Sequence, residues 1–128
     1  FREVCERQAI LVAGWMRVGY CQGNMNSDNS ALCGVTLDYG PFAFMERFNP
    51  IFCPWVGGGM EYSFGRQPQA IAINLTILAE AFAAVLQDAA TREKLPKAEL
   101  DGELDRLRAG VSEVYVNTFH SIHDEDCR

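Results

Sequence analysis

Three side chains in the first third of the chain carry hard oxygen donors at a spacing that suits a divalent cation: Asp28 and Asn29 in "NMNSDN", and Asp38 in "LDYG", nine residues after Asn29. Magnesium takes oxygen ligands in octahedral geometry and uses one or two carboxylates, with phosphate oxygens and water completing its shell. Asn29 and Asp38 fit that donor set. Asp28 is the only carboxylate between Gly23 and Leu37, so it is the one group of the loop able to accept a proton or orient a nucleophile. Such a set supports transfer of a phosphoryl or nucleotidyl group. The competing reading is a plain pair of turns, because Asn, Asp and Ser dominate turns through local hydrogen bonds.

The elements that must position these residues follow from periodicity. Val4, Leu11, Trp15 and Val18 recur at helical spacing, which predicts a helix over residues 2–18 that runs into Gly19. Residues 30–37 carry Leu32, Val35, Thr36 and Leu37 around Gly34, which predicts two small strands or a hairpin between the two Asp positions. "FAFMERF" reads as a helical turn or an apolar strap, and "NPIFCPWVGGG" as loop. From Pro68, Ile71, Leu75, Leu78, Phe82 and Val85 recur at helical spacing while Ile73, Ile77 and Ala84 add a second apolar face, so a helix to about Gln87 is expected to be buried on more than one side. Residues 88–97 read as a solvated connection. Leu100, Leu104, Leu107, Val111 and Val114 then predict a closing amphipathic helix before the polar tail "SIHDEDCR".

Composition narrows the function classes. The chain has 128 residues, 48% of them hydrophobic, enough for one core. A formal charge of −6, with basic residues scattered, argues against a nucleic-acid or anionic membrane partner. Arg17, Asn74, Glu80 and Gln87 interrupt the apolar runs short of the roughly 20 residues that span a bilayer, so no membrane segment is expected. Cys5, Cys21, Cys33, Cys53 and Cys127 are odd in number and lack a C-x-x-C pair, which favours free thiols in a reducing compartment. His120 and His123 have no clear third ligand for zinc. Gly57 to Gly59 read as a flexible loop, lacking the Lys-Ser/Thr of a phosphate-binding loop. Because the chain opens at Phe1 inside a running helix, it is expected to be part of a longer polypeptide.

Protein kinases hold magnesium with an Asn of the catalytic loop and the Asp of a D-F-G triplet just beyond a short hairpin. Asn29 and Asp38-Tyr39-Gly40 keep that order. Counting back from Asn29, however, the slots for the catalytic Asp and the His of H-R-D-x-x-x-x-N hold Asn24 and Gln22. An amide cannot take a proton as a carboxylate does, so ordinary kinase chemistry is disfavoured.

The run "VGYCQGNMNSDNSALCGVTLDYGPFAFMERFNP", with "YSFGRQP" and "NLTILAEAF" downstream, resembles the selenoprotein O family, whose pattern is similar to G-F-x-H-G-V-M-N-T-D-N followed by L-T-[IL]-D-[YF]-G-P-[FY]. The resemblance covers roughly residues 1 to 87. It implies an α-dominant α+β fold, the C-terminal lobe of a protein-kinase-like architecture, with residues 1–128 forming a single partial domain and a small β-hairpin between the catalytic loop and the D-Y-G motif. It also implies Mg2+-dependent transfer of AMP from ATP to Ser, Thr or Tyr hydroxyls of protein substrates. Carried over by position, Asp28 resembles the proton acceptor, Asn29 and Asp38 the magnesium ligands, and Asp38 a residue beside the nucleotide phosphates. Location would be mitochondrial in a eukaryote and cytoplasmic in a bacterium. Gln22 replaces the family's His, Asn24 a small apolar residue, and "PWVGGGME" a polar stretch similar to N-x-S-D-x-x-G-R. The N-terminal lobe, with its glycine-rich loop, Lys and helical Glu, has no counterpart in these residues. A kinase-like scaffold without catalysis, or a phosphotransferase using the γ-phosphate, is the alternative.

Overall fold

The computed structural model describes residues 1–37, 40–56 and 59–126. Helix α1 spans Arg2–Val18 and ends where Gly19 turns left-handed at φ 70°, its N–H returning to the carbonyls of Trp15 and Met16. Those are the bounds expected from sequence, and Trp15 of the expected face is buried, but the rest of the buried face is rotated. Cys5, Gln8, Ala9, Val12 and Ala13 face the core, whereas Val18 is exposed and Val4 and Leu11 are half-buried. Small side chains on that face let the C-terminal helical segments come close.

The small sheet is not where the sequence placed it. Strand β1 (Tyr20–Cys21) pairs antiparallel with β2 (Ala43–Phe44), with Tyr20 opposite Phe44 and Cys21 opposite Ala43. The strands therefore lie on either side of the whole 22–42 segment instead of between its two Asp positions. Residues 30–37 form no strand among them: Gly34 N–H closes a turn onto Ala31 O at 2.9 Å, and Gly34 sits at φ 74°, where a Cβ would stand 2.7 Å from Arg7 Cβ of α1. Helix α1 then satisfies the segment's polar groups, through Gln8 Nε2 to Ala31 O at 2.6 Å and Trp15 Nε1 to Thr36 Oγ1 at 2.8 Å. Docking on a helix has taken the place of a cross-strand ladder.

Helix α2 runs Gln67–Glu93, six residues past the expected end. The charged stretch continues the helix because Asp88 and Arg92 pair across one turn at 2.8 Å and the intervening residues include two alanines. It stops at Lys94, left-handed at φ 56°, just before Pro96. Only one face is buried. Ala70, Ile71, Leu75, Ala79, Ala83 and Ala90 pack inward, while Ile73 and Ile77 are 54% and 56% exposed. Asn74, Glu80 and Gln87 do not interrupt the helix, so by length and composition alone α2 is long and apolar enough to cross a bilayer, and run length does not exclude it. What fixes it in this fold is its packed face.

Helix α3 (Lys97–Ala109) passes through a π-helical segment, Gly110–Val116, into α4 (Asn117–Asp126). The expected polar tail is therefore helical to Asp126. The wider π turn re-phases the apolar stripe, so that Val114, Tyr115 and Phe119 all bury after Leu104. Tyr115 donates to Pro68 O at 2.8 Å, tying this segment to the first turn of α2. One core joins α1, Tyr20, Met25, α2 and the Val114–Phe119 side chains. The result is a helix-dominant α+β arrangement with a two-stranded antiparallel sheet.

Candidate active site

The loop that leaves β1 is held from beneath by α2. Asn74 Nδ2 donates to Met25 O at 2.8 Å, and the Met25 side chain is buried in the core. From the far side Tyr62 OH donates to Asn26 Oδ1 at 2.7 Å, with Trp55 stacked on the Tyr62 ring. Between these anchors Ser27–Asn29 forms a single 3-10 turn, closed by Asn29 N–H to Asn26 O at 2.8 Å. Asp28 is thereby exposed at the crest of the turn, and Asn29 is half-buried beside it.

Asn24 explains why an amide suits the slot of a kinase's catalytic Asp. Its Oδ1 accepts from Asn26 N–H at 3.3 Å and its carbonyl accepts from Asn29 Nδ2 at 3.4 Å. With the Asn29 nitrogen turned to that carbonyl, its Oδ1 has no donor among the described residues. The donor chemistry of Asn29 therefore fits magnesium. Asp38 and Tyr39 lie outside the described residues. Their described neighbours are held against the loop: Leu37 O accepts from Gln22 Nε2 at 2.9 Å, and Gly40 lies against the Asn24 side chain. A Cβ on Gly23 would stand 2.2 Å from Pro41 O, and Gly23 adopts φ 68°, so only glycine lets the segment after Gly40 approach this closely. Among the described residues no group of three or more His, Cys, Asp or Glu is arranged to hold a metal ion. His120 and His123 lie against the Phe119 ring.

Beneath the loop Cys21 is fully buried, its Sγ 3.5 Å from both Phe52 O and Tyr62 O. Burial pushes its thiol up to about 11, so at neutral pH it is a neutral donor bracing the 52–62 segment and no nucleophile. A cavity of about 210 Å3 opens beside the turn between Ser27, Ser30, Leu32 and Leu78. Among the described residues its lining is uncharged, with Gln8, Ser27, Ser30 and Asn74 supplying the polar groups.

Gln22, Gln67, Tyr62 and Asn74 are the supports that spacing alone did not single out as such. Two of them left a trace: Gln67 and Asn74 are amides seven residues apart, which places them on one face of a helix.

The profile of a family described as Protein adenylyltransferase SelO matches residues 1–123. The chain is 42% identical over 110 residues to a protein nucleotidyltransferase YdiU of Xanthomonas axonopodis pv. citri (strain 306), covering 84% of this chain and 20% of that protein. It is 45% identical over 110 residues to the YdiU protein of Xanthomonas euvesicatoria pv. vesicatoria (strain 85-10), with the same coverage. Against that of Xanthomonas campestris pv. campestris (strain B100) it is 44% identical over 93 residues, 71% of this chain and 18% of the relative. The chain thus spans about a fifth of the length of these curated relatives.

Proposed function

The chain belongs to the SelO family, and from that premise we propose that the polypeptide carrying it transfers AMP from ATP to Ser, Thr or Tyr hydroxyls of proteins. In this reading residues 1–128 are the C-terminal lobe of a kinase-like catalytic domain. The observation that carries the reading is the exposed Asp28 beside Asn29, on a turn whose kinase base slot is filled by the structural amide of Asn24.

Asn29 and Asp38 would hold Mg2+, which when bound neutralises phosphate charge. The acceptor hydroxyl oxygen attacks the α-phosphorus, the bond from that phosphorus to the α,β-bridging oxygen breaks, and pyrophosphate leaves. Asp28 takes the hydroxyl proton or orients the hydroxyl as it attacks. The Asn26–Tyr62 and Asn74–Met25 bonds hold the turn so that the carboxylate need not be ordered during reaction. A hydroxyl acceptor and a nucleotide are the partners this chemistry needs.

The test is made in the full-length protein. Asp28→Asn keeps shape and removes the proton acceptor, and general-base loss predicts a fall of about 10²–10⁴-fold in AMP transfer with ATP still bound. Asp38→Ala is expected to abolish transfer. Retained transfer in Asp38→Ala would sink the ligand assignment, and retained transfer in Asp28→Asn would remove Asp28 from the chemistry.

A further inference from the structure

The cavity of about 210 Å3 beside the Ser27–Asn29 turn is walled by three elements. Helix α1 contributes Gln8, the loop Ser27 and Ser30, and α2 the row Asn74, Ile77 and Ala81, which share one helical face. Ser27 immediately precedes Asp28 and Ser30 immediately follows Asn29, so the cavity and the exposed carboxylate flank the same turn. Ile77 is 56% exposed and Ala81 is exposed, which marks the opening of the cavity to solvent along α2. Gln8, only 3% exposed, spends its Nε2 on Ala31 O and keeps its Oε1 without a donor among the described residues.

We propose that this cavity takes an apolar side chain of the acceptor protein, one within two positions of the hydroxyl that receives AMP. The inference rests on the reading of Asp28 as the group that meets that hydroxyl. Two residues of extended chain reach about 7 Å, and a 3-10 turn of three residues rises about 6 Å. A hydroxyl held at Asp28 therefore sets its neighbours in sequence over the flanking serines and the cavity between them and α2. An apolar cavity of about 150 Å3 accommodates benzene, so this one has room for a side chain the size of Leu, Met or Phe. Its uncharged lining would leave a carboxylate or an ammonium group without a partner. A polypeptide also brings backbone N–H groups toward the Gln8 oxygen, which a hydrocarbon ligand does not.

The test reads the sequence around AMP-modified residues. The full-length protein, wild type or variant, is given ATP, magnesium and a nucleotide-free pool of cellular proteins, and the modified sites are mapped by mass spectrometry. Wild type is expected to favour sites with Leu, Met, Ile or Phe at one position within two residues of the hydroxyl over sites with Asp, Glu or Lys there, by about tenfold or more, the discrimination of a hydrophobic pocket. Ala81→Trp fills the opening from an exposed position, and Ile77→Asp sets a carboxylate there. Each is expected to abolish the bias while sites without the apolar neighbour are still modified. Thr76→Trp adds the same bulk at an exposed position of α2 outside the cavity and is expected to keep the bias. No bias in wild type, or the wild-type bias in both cavity variants, overturns the proposal. So does protection of Ala81→Cys from a thiol reagent in the full-length protein, because another part of the polypeptide then covers the opening. Modified sites without bias overturn the inference alone, whereas AMP on no protein at all overturns the reading of the site and takes the inference with it.

Discussion

The placement of Asp28 and Asn29 is set by what surrounds them. The carboxylate is presented outward because Asn24, Asn26 and Asn29 spend their polar groups on each other within one turn. Gly23 is the residue on which that turn depends. Gly23→Ala would place a Cβ 2.2 Å from Pro41 O at φ 68°, and the backbone strain alone predicts a loss of about 1–3 kcal/mol, read as a lower denaturant midpoint. A neutral Gly23→Ala would mean that the 40–41 segment does not press on the loop. The candidate residues were legible because they follow one another in sequence: Asp28, Asn29 and the D-Y-G triplet could be found by counting. Their supports were not, since Gln67 and Asn74 act on backbone atoms 45 to 49 residues away. Spacing carries no record of such a partner.

At the scale of elements, sequence periodicity found α1 with its bounds and the start of α2, and it erred where tertiary packing chose between local options. Residues 30–37 suggested strands through Leu32, Val35, Thr36 and Leu37, yet Gln8 and Trp15 of α1 take up their polar groups and Gly34 folds them into a turn. The strand pair that does form is only two residues long on each side, too short for any alternation to announce it. Charge suggested a loop over 88–97, but Asp88 and Arg92 are four apart and bridge a helical turn. The helix there is directly testable. Ala90→Pro in the full-length protein would cost about 3 kcal/mol if residue 90 lies inside a helix. A stability within experimental error of wild type would restore the loop reading.

For the whole molecule, the core that carries the site is sealed around two thiols. Burial raises both Cys5 and Cys21 from the ordinary 9.0 to about 11. The unfolded chain gives up these protons near pH 9 while the folded chain keeps them to about 11. Their contribution is therefore complete below pH 9 and declines as pH rises to 11, by up to ~1.4 kcal/mol per pH unit for each thiol. Denaturant midpoints should fall across that window, and the Cys5→Ala/Cys21→Ala double variant should remove this part of the fall. At neutral pH a thiol reagent should label exposed Cys33 well before either buried residue. The same fold leaves Asp28 exposed at the surface. The most direct measurement of what it does there uses ATP labelled with one isotope at the α-phosphate and another at the γ-phosphate, supplied to the full-length protein with magnesium. AMP transfer predicts that the α label alone becomes protein-bound while the γ label leaves in pyrophosphate. Protein-bound γ label without α label would contradict the account and make the protein a phosphotransferase, and incorporation of neither would leave a kinase-like scaffold in its place.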